Sequence, residues 1–365
     1  MTRTLIILIG TFLLHSCRPP AQHSSDSQQL FEWDLEAENH TGMSRDAYSK
    51  DGKHRGMTAF NWQNERQESI NQLVKDNIEW IALVPFLFQE NARTKQVRPR
   101  ERIGAWTRRD SVYMQIAADF HSRDVHIMLK PHIWMHEGWR AEIQLDNDAE
   151  WDTWFDAYSR HMIHYALLAE RAGVELYCIG TELRSSINQQ PARWDSLIAD
   201  IKEVYTGKLT YAANWDGEYD EVQFWDEMDY IGLQAYFPLT SNIRPSLQEI
   251  EKGWIPHRAM LEQLSERHQR PILFTETGYR SDESATVRPW EWGIYQDTTG
   301  LIVCNETQLY AYEALFRQLW HEEWFAGVYF WQWHNRHDSA YTVNNVDFTP
   351  RYKPAENALA RWYGK

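Results

Sequence analysis

Eight apolar runs alternate with amphipathic helical stretches from about residue 54 onward, and they predict an α/β fold: a (β/α)8 TIM barrel forming a single catalytic domain. Two further observations favour a closed barrel over an open doubly wound sheet. The runs lack strict polar alternation, as parallel strands buried on both faces do, and no Gly-rich dinucleotide fingerprint follows the first of them. The connections are also asymmetric. Those entering strands are short, as at Gly173 and Gly207-Lys208, whereas 87–107, 281–304 and 335–352 leave strands as long loops. Barrel enzymes build their sites from the loops at that carboxyl end.

The first strand is expected over 56–62. The helix after it follows from the i, i+3, i+4, i+8 spacing of Ile70, Leu73, Val74 and Ile78. Strands over 78–86 and 125–134 come next. Trp151, Trp154, Phe155, Tyr158, Met162 and Tyr165 make a long helical stripe, which Gly173 stops before a strand over 174–181. Trp194, Leu197, Ile198, Ile201 and Tyr205 make another, ended by Gly207 before a strand over 209–215. Strands over 228–236 and 271–275 precede a stripe of Leu309, Tyr312, Phe316, Leu319 and Trp320. The last strand is expected over 327–333, and Pro354, tolerated in a first turn, opens the final helix.

Residues 1–16 read as a lipoprotein signal peptide. Arg3 supplies a positive start, residues 5–14 are apolar but too few to span a bilayer, and Leu14-His15-Ser16-Cys17 resembles a bacterial lipobox. Cys17 is then the lipidated first residue, 17–45 a flexible tether and 46–365 the catalytic domain. A monomer is expected in the bacterial cell envelope, touching the membrane through its lipid alone. Loss of Arg3 with the leader takes the formal charge from −15 to −16, a surface that repels nucleic acid. A neutral ligand fits better. The 19 Trp, 18 Tyr and 14 Phe offer flat apolar faces for sugar rings, or for a protein partner. Cys178, inside a core strand, reads as a buried, inert thiol.

Two strands end on an acid: Glu182 closes the run over 174–181, and Glu276 closes 271–275. A carboxylate there is costly in a core and useful at the rim of a site. Strands four and seven lie across a narrow barrel from each other, so the two acids suggest a carboxylate pair that cleaves a glycosidic bond. Cleavage with retention needs such groups about 5–5.5 Å apart, one ionised to attack and one protonated to donate. The rival reading pairs each glutamate with a nearby arginine, Arg184 or Arg280, or has it cap the next helix.

Ile179-Gly-Thr-Glu-Leu183 and Leu273-Phe-Thr-Glu-Thr-Gly-Tyr279 resemble the strand-four and strand-seven motifs of glycoside hydrolase family 113. These are β-mannanases of the large retaining clan of (β/α)8 glycosidases, and the similarity runs from residue 54 to the end. The resemblance implies that Glu182 is the acid/base and Glu276 the nucleophile. It also implies a neutral β-1,4-linked mannan or manno-oligosaccharide as substrate, and no cofactor. Thr181 stands where the wider clan has an Asn that contacts the sugar 2-hydroxyl. Tyr236 resembles the clan tyrosine whose hydroxyl holds the nucleophile.

Around this pair, Trp331 and Trp333 share one face of strand eight by alternation, and Trp331 is the preferred platform under the sugar. Lys130, His132 and Trp134 alternate on strand three toward the barrel mouth. They read as substrate contacts, His132 foremost, or as the seat of a structural ion pair through Lys130. Asn61-Trp62 and Asn214-Trp215 offer an amide and a ring to sugar hydroxyls and faces. Trp290 and Trp292 either cover outer subsites or pack on the barrel. His161/His164 and His334/His337 lack a Cys cluster or an HExxH motif, so no metal is expected. Two other functions fit the same residues: the same chemistry on another β-glycan, or a lipoprotein that binds glycans without cleaving them.

Overall fold

A computed structural model describes residues 47–59, 66–99, 106–291, 300–334 and 342–365. The leader, Cys17 and the tether, together with Asn61, Trp62, Trp292 and His337, lie outside the described residues. The strands are β1 (His54–Ala59), β2 (Trp80–Leu83), β3 (Phe86–Gln89), β4 (Arg98–Pro99), β5 (His126–Leu129), β6 (His132–Met135), β7 (Leu176–Thr181), β8 (Lys208–Asn214), β9 (Tyr230–Gln234), β10 (Ile272–Thr277) and β11 (Phe325–Trp333). Eight of them close into a barrel in the order β1-β11-β10-β9-β8-β7-β5-β2, every neighbouring pair parallel. The helices are α1 (Tyr48–Asp51), α2 (Arg66–Lys75), α3 (Trp106–His121), α4 (Asp148–Ala172), α5 (Arg184–Gln189), α6 (Pro191–Val204), α7 (Leu247–His268), α8 (Asn305–Leu319) and α9 (Pro354–Tyr363). The TIM-barrel expectation therefore holds, and α3 and α7 are helices that the apolar spacing did not single out.

Two expected strands divide. The runs over 78–86 and 125–134 each break at a proline, Pro85 and Pro131, which has no N–H for the ladder. Beyond the break, β3 and β6 leave the barrel and pair with each other, Phe86 opposite His132 and Phe88 opposite Trp134. With β4 they make a three-stranded sheet above the rim. The break puts Lys130 and Pro131 between two strands rather than in the middle of one.

The helix limits follow their signals. Asn147 caps α4 by accepting from the Glu150 N–H at 3.1 Å, and Gly173 ends it at φ 67°. Ser246 and Glu249 form a capping box at the start of α7. Apolar stripes on α4, α6 and α8 bury Trp154, Trp194 and Phe316 against the outside of the barrel, in one core that encircles it. A second cluster fills the barrel interior with Trp80, Met128, Leu176, Tyr230, Leu273 and Tyr329. His54 stacks on Trp80 at 3.9 Å below it. A third, small cluster of Tyr236, Trp331 and Phe348, with Trp215 beside it, sits at the mouth.

One buried pair on the outer shell sets a pH dependence. Asp76 accepts from Gln72 at 3.1 Å, and Glu356 is its neighbour. Burial, then the charge of Glu356, pushes the Asp76 carboxyl well above its usual value. A folded-state pKa raised above the unfolded one gives stability that is full below about 3.8 and is lost as pH rises through the folded value. Asp76→Asn removes that loss. Thermal unfolding of the variant is expected to gain roughly 2–4 °C over the wild type at pH 8 and nothing at pH 4. An equal gain at both pH values would sink the argument.

Candidate active site

The carboxyl ends of β7, β8, β9 and β10 carry the predicted residues to one rim. Each of the strands β7, β10 and β11 has a register shift near that end: between Cys178 and Thr181, between Phe274 and Glu276, and opposite Thr58 and Ala59. Such bulges turn side chains out of the regular alternation.

Glu182 follows β7 directly and has φ 51°, in the left-handed region that a non-glycine residue seldom adopts. Its own N–H donates to the Ala212 carbonyl at 2.9 Å, and the next N–H, of Leu183, donates to the Tyr211 hydroxyl at 2.7 Å. Gly180 makes room for this. A Cβ there would lie 2.9 Å from both Trp194 and Tyr211, so the glycine of Gly-Thr-Glu lets the Tyr211 ring reach under the kink. The carboxylate accepts from Asn214 Nδ2 at 2.6 Å on Oε1, and from Arg140 at 2.5 Å and Trp139 Nε1 at 3.3 Å on Oε2.

Glu276 lies within β10 opposite Gln234, and it is 3% exposed. Its Oε1 accepts from the Tyr236 hydroxyl at 2.7 Å and its Oε2 from Lys130 Nζ at 2.7 Å. Lys130 is wholly buried, and its other contacts are the Thr275 carbonyl at 2.9 Å and Gln234 Oε1 at 3.1 Å. An ammonium has three donors, and these contacts use all three. Of the two readings of Lys130, the ion pair is the one observed; no donor remains for a ligand.

Both glutamates act on one phenol. Burial, the charge and hydrogen bond of Glu276, and then the charge of Glu182 push the Tyr236 phenol well above its usual value. Tyr236 is thus within electrostatic reach of both acids. His132 lies on the same rim, where burial, then the charges of Lys130 and Arg140, hold its imidazole well below its usual value. Its Nε2 is buried with no hydrogen-bond partner among the described residues, so the neutral ring keeps one nitrogen unused.

The other predicted contacts divide. Asn214 is buried and committed: Oδ1 accepts from the Asp216 N–H at 2.8 Å, which turns Nδ2 toward Glu182. Trp215 is half-buried and meets Trp290 at 5.0 Å between ring centroids. Trp290 is 37% exposed, so the seventh loop packs on the barrel and still shows an aromatic face. Trp331 belongs to the mouth cluster with Tyr236, whereas Trp333 belongs to the encircling core with the Arg351 guanidinium 5.1 Å over its ring. The bulge in β11 separates them, so the single shared face expected from alternation is not found. Gly278 lets β11 come close: a Cβ there would be 2.6 Å from the Trp331 carbonyl.

The arginine bridges weighed as a rival take another form. Arg184 pairs with Glu221 and Arg280 with Asp282, both away from the glutamates. Arg140, from the loop after β6, is the arginine that meets Glu182. Arg140, Trp139, Gln234, Tyr211 and Glu218 were missed by sequence reasoning. Trp139-Arg140 leaves no pattern, and Glu218 sits in the acidic run after Asn214-Trp215 without a motif of its own. Cys178 is the buried thiol expected: burial pushes its pKa up, and it donates to the Gly180 carbonyl.

A model of Glycoside Hydrolase Family 113 matches residues 54–353. Among solved structures, a GH113 β-mannanase from Alicyclobacillus acidocaldarius in complex with ManMIm is 28% identical, with a TM-score of 0.74, covering 85% of this chain and 97% of that one. A complex of a GH113 β-1,4-mannanase, 22% identical, also gives 0.74 over 85% of this chain and 98% of that one. A β-glucuronidase from Ruminococcus gnavus shares the fold at a TM-score of 0.55 and 12% identity, over 84% of this chain and 49% of that one. No curated protein matches the chain. The family match spans the barrel from its first strand to the edge of its last helix and includes both strand-end acids: the chain is a glycoside hydrolase and belongs to Glycoside Hydrolase Family 113.

Proposed function

We propose that this chain hydrolyses β-1,4-mannosidic bonds in mannan or manno-oligosaccharides with retention, by double displacement. One observation carries the assignment of roles. Glu276 is held from both sides, by the Tyr236 hydroxyl and the Lys130 ammonium, so its carboxylate is fixed and oriented. Glu182 is held through Asn214 on one oxygen and by rim groups on the other.

Glu276 attacks the anomeric carbon, the bond to the leaving oxygen breaks, and Glu182 gives that oxygen its proton. Water then loses a proton to Glu182, attacks the same carbon and frees Glu276. Asn214 always donates to Oε1, so the proton travels on Oε2, and Arg140 has to leave that oxygen for the first step. Arg140 sits on a rim loop with its side chain 20% exposed, where an incoming sugar can displace it. His132 Nε2 is the contact for a sugar hydroxyl, and Trp331 the platform under the ring. The substrate class rests on the β-mannanase relatives and on the apolar, aromatic mouth.

The test is a panel of β-linked oligosaccharides together with trapping by a 2-fluoro-mannosyl fluoride and peptide mass analysis. The expected result is release of manno-oligosaccharides and a label on Glu276. A label on another residue reassigns the nucleophile, and inactivity on every mannoside removes the substrate class.

A further inference from the structure

Glu218 has no part in the reaction as derived so far, yet its placement is costly. It lies in a short 3-10 turn, Glu218–Asp220, after β8, and it is 0% exposed. Its partners are a phenol and a backbone amide rather than a cation: Tyr211 donates to Oε1 at 2.6 Å and the Asn214 N–H to Oε2 at 2.7 Å. Burial pushes this carboxyl up to about 7 against those two hydrogen bonds, and the charge of Glu182 adds to the rise. A buried acid without a counter-ion is expensive to keep.

Its two oxygens stand behind two of the contacts that hold Glu182. The Tyr211 hydroxyl has one proton. It accepts from the Leu183 N–H, so its own proton goes to Glu218, and the phenol is fixed under the left-handed kink at Glu182. The other oxygen anchors the Asn214 backbone, and the Asn214 amide, oriented by Asp216, then grips Glu182 Oε1. Resting on the acid/base role proposed above, we infer that Glu218 is a positioning residue that aims Glu182 through Tyr211 and Asn214. It touches no substrate. The rival is a purely structural role, pinning the loop after β8.

The two roles differ in their dependence on the leaving group. A positioned acid matters when the departing oxygen needs a proton and hardly matters when it does not. In Glu218→Gln the amide cannot accept from both Tyr211 and Asn214. Its kcat/KM on a manno-oligosaccharide is expected to fall roughly ten- to hundredfold, against less than about threefold on 2,4-dinitrophenyl β-mannoside. The ratio of the two values does not depend on how much protein is folded, so a poorly folding variant still decides the question. Tyr211→Phe should shift the ratio the same way. In a Glu182→Ala background, Glu218→Gln should add nothing to the loss on the oligosaccharide. An equal loss on both substrates, no loss on either, or full additivity with Glu182→Ala overturns the inference. A wild type inert on mannosides but active on another aryl β-glycoside refutes the substrate class alone; the same comparison on that glycoside then tests Glu218.

Discussion

Glu276→Ala is expected to lose on the order of 10⁴-fold or more in kcat on manno-oligosaccharides, the scale seen when a nucleophile is removed from a covalent mechanism. The stereochemistry of rescue makes the result diagnostic. With azide and 2,4-dinitrophenyl β-mannoside, the cavity left by the side chain admits an anion on the face that Glu276 occupied, and the product is the α-mannosyl azide. Glu182→Ala behaves differently. It should retain attack by Glu276 on the activated substrate, stall at deglycosylation, and give the β-mannosyl azide when azide replaces the water. A β-azide from the Glu276 variant, or turnover of oligosaccharides within tenfold of wild type, would mean that the roles are misassigned. The attack retained in the Glu182 variant follows from the geometry. Tyr236 and Lys130 hold Glu276 without any contribution from Glu182.

Lys130→Met should cost about 3–5 kcal/mol of folding stability, the range for breaking a buried ion pair from one side. The substitution leaves Glu276 3% exposed with the Tyr236 hydroxyl as its remaining donor among the described residues, takes the ammonium from the Thr275 carbonyl, and leaves Gln234 Oε1 with the Thr275 hydroxyl at 3.3 Å. The compensating variant is Lys130→Met with Glu276→Gln, which removes both charges and keeps the side-chain volumes. It should recover most of the lost stability in urea unfolding and none of the activity. A double variant as unstable as the single one would show that the lysine contributes by packing rather than by neutralising Glu276.

The glutamates were legible because each breaks a local rule, an acid closing an apolar run. Their partners were legible only in part. Asn214 ends β8 and Tyr236 follows β9 by two residues, so both stand out, and the structure joins them to Glu182 and Glu276. Lys130 was visible as a charge in an apolar strand, but the choice between ligand contact and ion pair needed the positions of Gln234 and Thr275 on other strands. Arg140, Tyr211 and Glu218 break no local rule. Tyr211 looks like any core aromatic until its hydroxyl is seen under the Glu182 kink, and Glu218 looks like a surface acid until its turn folds back under β8.

The sequence by itself determined the barrel and put an acid at the ends of two of its strands, because strand and helix periodicity, glycine stops and an acid in an apolar run are properties of neighbours along the chain. Tertiary structure alone decided the pairing of β3 with β6 beyond the proline breaks, the bulge that separates Trp331 from Trp333, and the commitment of Lys130 to Glu276. These depend on which strand lies beside which and in what register. Contacts such as Lys130 to Glu276, 146 residues apart, are set by closure of the barrel, and no local pattern encodes them.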